Sequence, residues 1–292
     1  MKIQTFSIIA GSEACNARCP FCVSKMTPSC GLDELKEPEV NWRNFEIACK
    51  LAKQSGVTTA MFTGKGEPTL FPEQITKYLR VLQKHSFPLI EMQTNGIMLA
   101  QNPRKYNDHL DSWYALGMTT IAISIVHYDP APNKFIYLAN RTDYIDLPKL
   151  VEKIHKFGIS VRLTCIAAKD YIDSSDKLCK LVNFAKQNKV EQLTITPVNK
   201  PEHPEHQEAW NWTNAHHLSE EQLKDIKTYL ATNASPIMKL SHGAIVYDLN
   251  GQNICLNNCL TVQPDNEELR NIIFFPDGHC RSHWQYEGSI LL

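Results

Sequence analysis

Charge imbalance is absent from this sequence. Lys and Arg number 30 against 31 Asp and Glu, a net charge of −1 over 292 residues. Binding to nucleic acid normally leaves a basic surplus, so the balance argues against that partner and against a large RNA substrate. Long apolar runs are absent too. None reaches the ~20 residues that a membrane-spanning helix needs, so no membrane partner is expected. The first residues, Met1 to Ile9, offer too short an apolar stretch for a signal peptide and no cleavage site. They read as a first strand, with no separate module ahead of it to bind a leader peptide. Without an export signal, the ten cysteines point to metal or catalysis rather than to a disulfide framework, and the chain is expected in the reducing cytoplasm.

What is present is a concentration of thiols. Cys15, Cys19 and Cys22 fall within eight residues, spaced C-x3-C-x2-C, just after the apolar run Phe6 to Ala10. Three thiolates on one tight loop can hold three corners of a cubane iron–sulfur cluster and leave the fourth iron without a protein ligand. Two plainer readings stand beside this one. Zinc usually takes four ligands in paired spacings such as C-x2-C, and the next cysteine, Cys30, fits no such pair. The three could also be ordinary cysteines. A zinc or structural iron–sulfur site predicts a non-catalytic metal-binding protein.

Apolar periodicity lays out a repeating plan. Asn41 reads as an N-cap for a helix from Trp42 to Gly56, and Thr58 to Thr63 as a strand ending in Gly64-Lys65-Gly66-Glu67-Pro68. Helices follow at 71–85, 106–116, 144–157 and 176–187, with strands at 89–93, 119–126, 159–167 and 192–198. With the first, that makes six strands separated by helices. Their short β-branched runs suit a parallel sheet covered by helices, either wound open or closed into a full or partial barrel. With 43% hydrophobic residues the chain can build one such α/β domain with a small appendage. Working residues in these architectures sit at the C-terminal ends of strands. The cysteine loop, Gly64 to Thr69, Thr94-Asn95-Gly96, Ser124 to Asp129 and Pro197 all fall there, while Arg162 and Thr164 lie on the fifth strand.

The C-x3-C-x2-C loop, with Phe21 before its third cysteine, resembles the signature of the radical S-adenosylmethionine (SAM) enzymes. Gly66-Glu67-Pro68, with Gly64 displaced by the intervening Lys65, resembles that family's Gly-Gly-Glu-Pro motif. The resemblance implies a partial (β/α)6 barrel over residues 1–200 and a C-terminal helix and β extension, 201–292, capping it. It implies a [4Fe–4S] cluster on Cys15, Cys19 and Cys22, with SAM chelating the open iron. Gly64, Gly66, Glu67 and Pro68 would receive the SAM ammonium, and Asn95 would border the pocket. Ser124 would contact ribose or carboxylate, Arg162 would pair with the carboxylate, and Phe21 would pack near the adenine. Cleavage of SAM by one electron, from a donor such as flavodoxin or ferredoxin, would generate a 5′-deoxyadenosyl radical. That radical would take hydrogen from a small-molecule or peptide substrate. Neither the substrate nor the outcome is legible, and no catalytic residue facing the substrate is named.

The last third is mixed. Residues 199–217 are polar, with His203, His206 and two Trp, and read as a solvated loop that could form a lid or substrate wall. Ser219-Glu220-Glu221-Gln222 has the form of a capping box opening a helix. Asn250-Gly251 and Asp277-Gly278 mark turns in a small β extension. This extension carries Cys255, Cys259 and Cys280. They read as structural thiols, as ligands of a second iron–sulfur cluster suited to a peptide substrate, or as including one hydrogen-atom donor. Asp265, Glu267, Glu268, Arg270, Asp277, Arg281 and His283 could face a substrate.

Overall fold

The structure, a computed structural model, describes residues 2–27, 29, 31–32, 36–137, 144–198, 206–240, 243–257, 268–284, 286 and 288–292. In chain order the elements are β1 (Lys2–Ile9), α1 (Trp42–Gln54), β2 (Thr59–Thr63), α2 (Pro72–Gln83), β3 (Leu89–Thr94), α3 (Ile97–Gln101) and α4 (Pro103–Ala115). Then follow β4 (Thr120–Ile125), α5 (Pro130–Tyr137), α6 (Leu147–Lys156), β5 (Ser160–Ala167), α7 (Ser175–Gln187) and β6 (Gln192–Pro197). The remainder is α8 (Gln207–His216), α9 (Glu220–Asn233), β7 (Ser235–Lys239), β8 (Ile245–Leu249), β9 (Gln252–Leu256), β10 (Glu268–Phe274) and β11 (Cys280–Arg281). Single 3-10 turns stand at Val23–Met26 and Pro68–Leu70.

One sheet holds every strand, in the order β11-β10-β1-β2-β3-β4-β5-β6-β9-β8-β7. Pairing is parallel from β10 through β1 and β6 to β9 and antiparallel only at the two margins. The six expected strands are adjacent in sequence order, as right-handed βα units require, and the barrel stays unclosed. The C-terminal β segment is present, and its strands are built into the barrel sheet at both edges. β9 pairs with β6, and β10 pairs with β1.

Period-two burial separates the two faces of the sheet. On β5, Val161, Leu163, Cys165 and Ala167 are fully buried against the helices, while Ser160, Arg162, Thr164 and Ile166 are half-buried on the inner face. The inner face is therefore polar. Register places Ser124, Thr164, Thr194 and Cys255 in one row near the strand C-termini. Ala122, Arg162, Gln192 and Asn253 form the row below.

Local signals behaved as their chemistry dictates. Asn41 Oδ1 accepts from Asn44 N at 3.1 Å and opens α1. Ser219 and Gln222 exchange both bonds of the capping box that starts α9. Asn250 and Gly251 both take positive φ, at 54° and 83°, in the turn between β8 and β9, as a two-residue hairpin demands. Besides the five-residue α3 that follows Gly96, two helices were not legible. The first, α5, follows β4, where the side chain of Asn133 ties the chain to Val126 N at 2.8 Å and to His127 O at 2.6 Å. The second, α8, occupies 207–216 of the segment 199–217 that reads as a solvated loop. His206 Nδ1 accepts from Ala209 N at 3.3 Å to cap it, and Ala209 and Thr213 are buried one turn apart. Among the described residues no helix is long and apolar enough to cross a membrane.

Candidate functional site

The cysteine loop leaves β1 at the C-terminal mouth of the sheet and is fastened from three sides. Below it lies the turn after β2. Glu67 N donates to Ala14 O at 2.9 Å. A Cβ on Gly66 would stand 2.0 Å from Ala14 O and 2.7 Å from Ser12 O, so only glycine lets the two backbones meet here. Lys65, the residue that departs from the family motif, is 6% exposed. Its ammonium donates to Ser24 O (3.0 Å), Thr27 O (3.1 Å) and Thr27 Oγ1 (2.6 Å), gripping the 3-10 turn that follows Cys22.

Glu67 is the second fastening. Its Oε1 accepts from Thr69 N (3.0 Å), Thr69 Oγ1 (2.6 Å) and Thr94 Oγ1 (2.6 Å), and Oε2 accepts from Asn95 N (2.9 Å). Burial pushes this carboxyl upward, and those donors pull it back. The resemblance directs Glu67 and Asn95 to SAM. Their side chains are engaged in joining β2, β3 and the loop. Asn95 Oδ1 accepts from Ile97 N, and Asn95 Nδ2 donates to Asn16 Oδ1 at 2.7 Å, between Cys15 and Cys19. A carboxylate 3% exposed must be satisfied by nearby donors, and these are the donors within reach.

The third side is aromatic. Phe21, 9% exposed, has its ring 5.3 Å from Trp212 of α8 and edge-on to Tyr137 at 6.4 Å. Trp212 in turn stacks on His216 at 4.2 Å. Lys169 N donates to His216 O at 2.8 Å, which seats α8 over the end of β5.

Within this frame Cys15 is exposed, and Cys19 and Cys22 are half-buried. Ala17 N donates to Cys15 Sγ at 3.4 Å, and burial pushes the Cys19 thiol up. Among the described residues no three Cys, His, Asp or Glu side chains are gathered to hold one metal ion. Unpartnered buried atoms adjoin the same loop. Among the described residues, Asn16 Nδ2, Tyr137 OH and Tyr144 OH lack partners, and Arg162 Nε lacks one lower in the barrel. Buried polar groups are normally paired, so this mouth is polar surface prepared for a ligand, and the residues present fit a cluster with SAM.

Other expected residues are distributed along the inner face. Ser124 lies there half-buried, opposite Thr164 of β5. Arg162 lies one row deeper, and its guanidinium pairs with the buried Glu91 rather than standing open to a ligand carboxylate. Burial raises Glu91, and Arg162 opposes that rise. Gly64 is close to Ala10 O, 3.0 Å from where its Cβ would be. Pro68 begins the 3-10 turn that Glu67 caps.

Of the tail cysteines, Cys255 and Cys280 stand on strands near opposite ends of the sheet order. Cys255 lies on the inner face of β9. Cys280 is fully buried on β11, where Cys49 of α1 is its neighbouring thiol. Cys30, His203, Cys259, Asp265 and Glu267 lie outside the described residues. Of the polar tail residues, Glu268 pairs with Lys2 at the surface. Sequence reasoning missed Asn16, Glu91, Tyr137 and Tyr144, since nothing in spacing marks them. Lys65 was legible only as a departure from the motif.

A fold of this kind with a three-cysteine loop at its mouth defines a class, and the family model for the Radical SAM superfamily matches residues 9–168. The chain belongs to the radical SAM superfamily, whose enzymes use a [4Fe–4S] cluster and SAM. Among individual proteins it is similar to the GTP 3′,8-cyclase of Rhizobium leguminosarum bv. trifolii, at 24% identity over 187 residues, covering 63% of this chain and 49% of that one. The chain thus spans about half the length of this curated relative. Streptococcus suis SuiB bound to S-adenosylmethionine shares the fold at TM-score 0.61 and 15% identity, over 97% of this chain and 60% of that one. A radical SAM methyltransferase from Sphaerobacter thermophilus does so at TM-score 0.55 and 16% identity, over 88% and 67%.

Proposed function

We propose that Cys15, Cys19 and Cys22 hold the [4Fe–4S] cluster, that SAM binds over the cysteine loop beside the Gly64–Pro68 turn, and that a small-molecule or peptide substrate enters the polar barrel interior. When bound, the cluster and SAM supply reductive cleavage to a 5′-deoxyadenosyl radical, which takes hydrogen from the substrate. The chain's own part is placement and exclusion of water. Gly66 lets the turn close on Ala14, and its Gly64 and Gly66 carbonyls supply acceptors for an ammonium. Asn16 Nδ2 offers a polar contact that no described protein group takes, and Ser124 adds a half-buried hydroxyl. Trp212 and Phe21 shield the loop from solvent. Glu67 and Asn95 act as positioning residues, and Arg162 holds Glu91 in the floor of the cavity.

The observation that carries this reading is the close seating of the three-cysteine loop on the glycine turn, with unpartnered buried donors around it. The name of the cyclase relative attaches GTP to that protein. At this identity and coverage the substrate here stays at the level of class. An electron carrier such as flavodoxin or ferredoxin would serve as reductant. The test is anaerobic purification and reconstitution, with iron, sulfide and zinc per chain and EPR spectra before and after SAM. About four irons with a spectrum altered by SAM support the reading. Changing Cys15, Cys19 and Cys22 together to Ala should abolish both the cluster and SAM cleavage. Zinc, or cleavage that survives the triple change, overturns it.

A further inference from the structure

Two tyrosines beside the cysteine loop have buried hydroxyls. Tyr137 closes α5 and is 2% exposed. Its carbonyl accepts from Arg18 N at 3.2 Å, and its ring meets Phe21 edge-on at 6.4 Å, so it lies against the loop on both sides of Cys19. Tyr144, just ahead of α6, stacks on Tyr137 with centroids 6.2 Å apart and planes 22° from parallel. Neither hydroxyl has a hydrogen-bond partner among the described residues. Cys19 lies near both phenols, and Cys22 and Cys165 are further neighbours of Tyr137.

A pair of buried O–H donors without acceptors is costly and calls for an explanation. An O–H needs a lone pair, and the ring contacts that Tyr137 and Tyr144 make supply none. Sulfide and thiolate sulfurs carry lone pairs, and hydrogen bonds to the sulfurs are one of the means by which a protein sets a cluster's potential. A phenol carries its proton at neutral pH, so both serve as donors rather than bases.

We propose that Tyr137 and Tyr144 donate O–H···S hydrogen bonds to the Cys19 side of the cluster and so raise its reduction potential. The proposal rests on the cluster assignment above. Adding an electron makes the cluster more negative, and an O–H donor bonds more strongly to the more negative state. No proton moves and no bond is broken. The two tyrosines are positioning residues that shift the equilibrium of the electron entering ahead of SAM cleavage.

Tyr137→Phe, Tyr144→Phe and the double variant would be reconstituted anaerobically beside the unmodified protein. Iron and sulfide are measured first, then the midpoint potential by EPR-monitored redox titration. The expected result is full iron content with the reduction equilibrium about tenfold less favourable in the double variant, a fall of about 59 mV for one electron. An unchanged potential at full iron overturns the proposal. So does iron loss from variants with native circular dichroism, which assigns the phenols to holding the loop. Proton ENDOR of the reduced unmodified protein, in H2O and D2O, needs no variant. Exchangeable protons coupled to the cluster are expected, and their absence overturns the proposal even where the Phe variants fail to fold. Absence of iron from the unmodified protein strikes the cluster assignment itself, which separates the two failures.

Discussion

Replacing Gly66 by Ala tests the seating of the cysteine loop more directly than any change at a cysteine. The new Cβ would lie 2.0 Å from Ala14 O, 2.7 Å from Ala14 C and 2.7 Å from Ser12 O, all of them backbone atoms that no rotamer change removes. Relief needs the loop to retreat by about 1 Å before even the tightest real Cβ contact is reached. That retreat stretches the 2.9 Å bond from Glu67 N to Ala14 O beyond hydrogen-bonding range. Overpacking costs about 1–3 kcal/mol, and an unsatisfied buried backbone group costs a further ~1–3 kcal/mol. Because the loop lies at the sheet mouth, it can move without unfolding the barrel. The change should therefore appear more strongly in cluster uptake than in global stability. The assay is iron per chain after anaerobic reconstitution, with thermal unfolding measured in parallel. Gly66→Ala should lose most of its iron with a modest fall in Tm. Gly64→Ala, whose nearest backbone atom would be 3.0 Å away, should lose less. Full iron and an unshifted SAM-dependent EPR spectrum in Gly66→Ala would refute the reasoning.

Lys65→Met keeps the buried stem and removes the ammonium that grips Ser24 O and Thr27. It should cost roughly 1.5–3 kcal/mol and speed amide exchange at residues 23–27, as read by hydrogen–deuterium mass spectrometry. Trp212→Ala strips the cover from Phe21. Trp212 is partly buried, so a loss of roughly 2–3 kcal/mol is expected, below that of a fully buried Trp, together with faster removal of iron by a chelator. Burial, partly opposed by Asp129, holds the His127 imidazole below its ordinary range, and its Nδ1 accepts from Asp129 N at 3.0 Å. The unfolded chain therefore binds a proton near pH ~6.5 that the fold refuses, and stability should fall as pH drops through that value. His127→Asn, which keeps an acceptor, should flatten the urea-unfolding midpoint between about pH 7.5 and 5.5. An equal slope in both proteins would rule out His127 as its source.

Much of this protein was legible from local chemistry. The six βα units could be read because a strand with one face on helices and one on a lumen alternates or runs apolar, and a helix repeats every 3.6 residues. The caps at Asn41 and Ser219 and the Asn250-Gly251 turn were legible because each is settled within four residues. The three-cysteine loop declared itself by spacing alone. Helix α8 was not legible. Its sequence is polar, and what makes it a helix is the packing of Trp212 on Phe21, a partner 191 positions away. The tail strands were recognisable as strands, but their attachment to β6 and β1 depends on which sheet edges the barrel leaves open.

By itself, then, the sequence determined the repeating α/β plan, the thiol loop and the glycine turn, since each rests on interactions between near neighbours. Only the tertiary structure decided how the side chains divide their labour. Glu67 and Asn95 join the β2 turn, β3 and the cysteine loop, because burial obliges a carboxylate and an amide to take the donors and acceptors within reach. Arg162 was claimed by Glu91 for the same reason. Lys65 reached Ser24 and Thr27, and two tyrosines were left beside Cys19 with hydroxyls unpaired among the described residues. Those outcomes depend on distances between residues far apart in the chain, which neither spacing nor composition encodes.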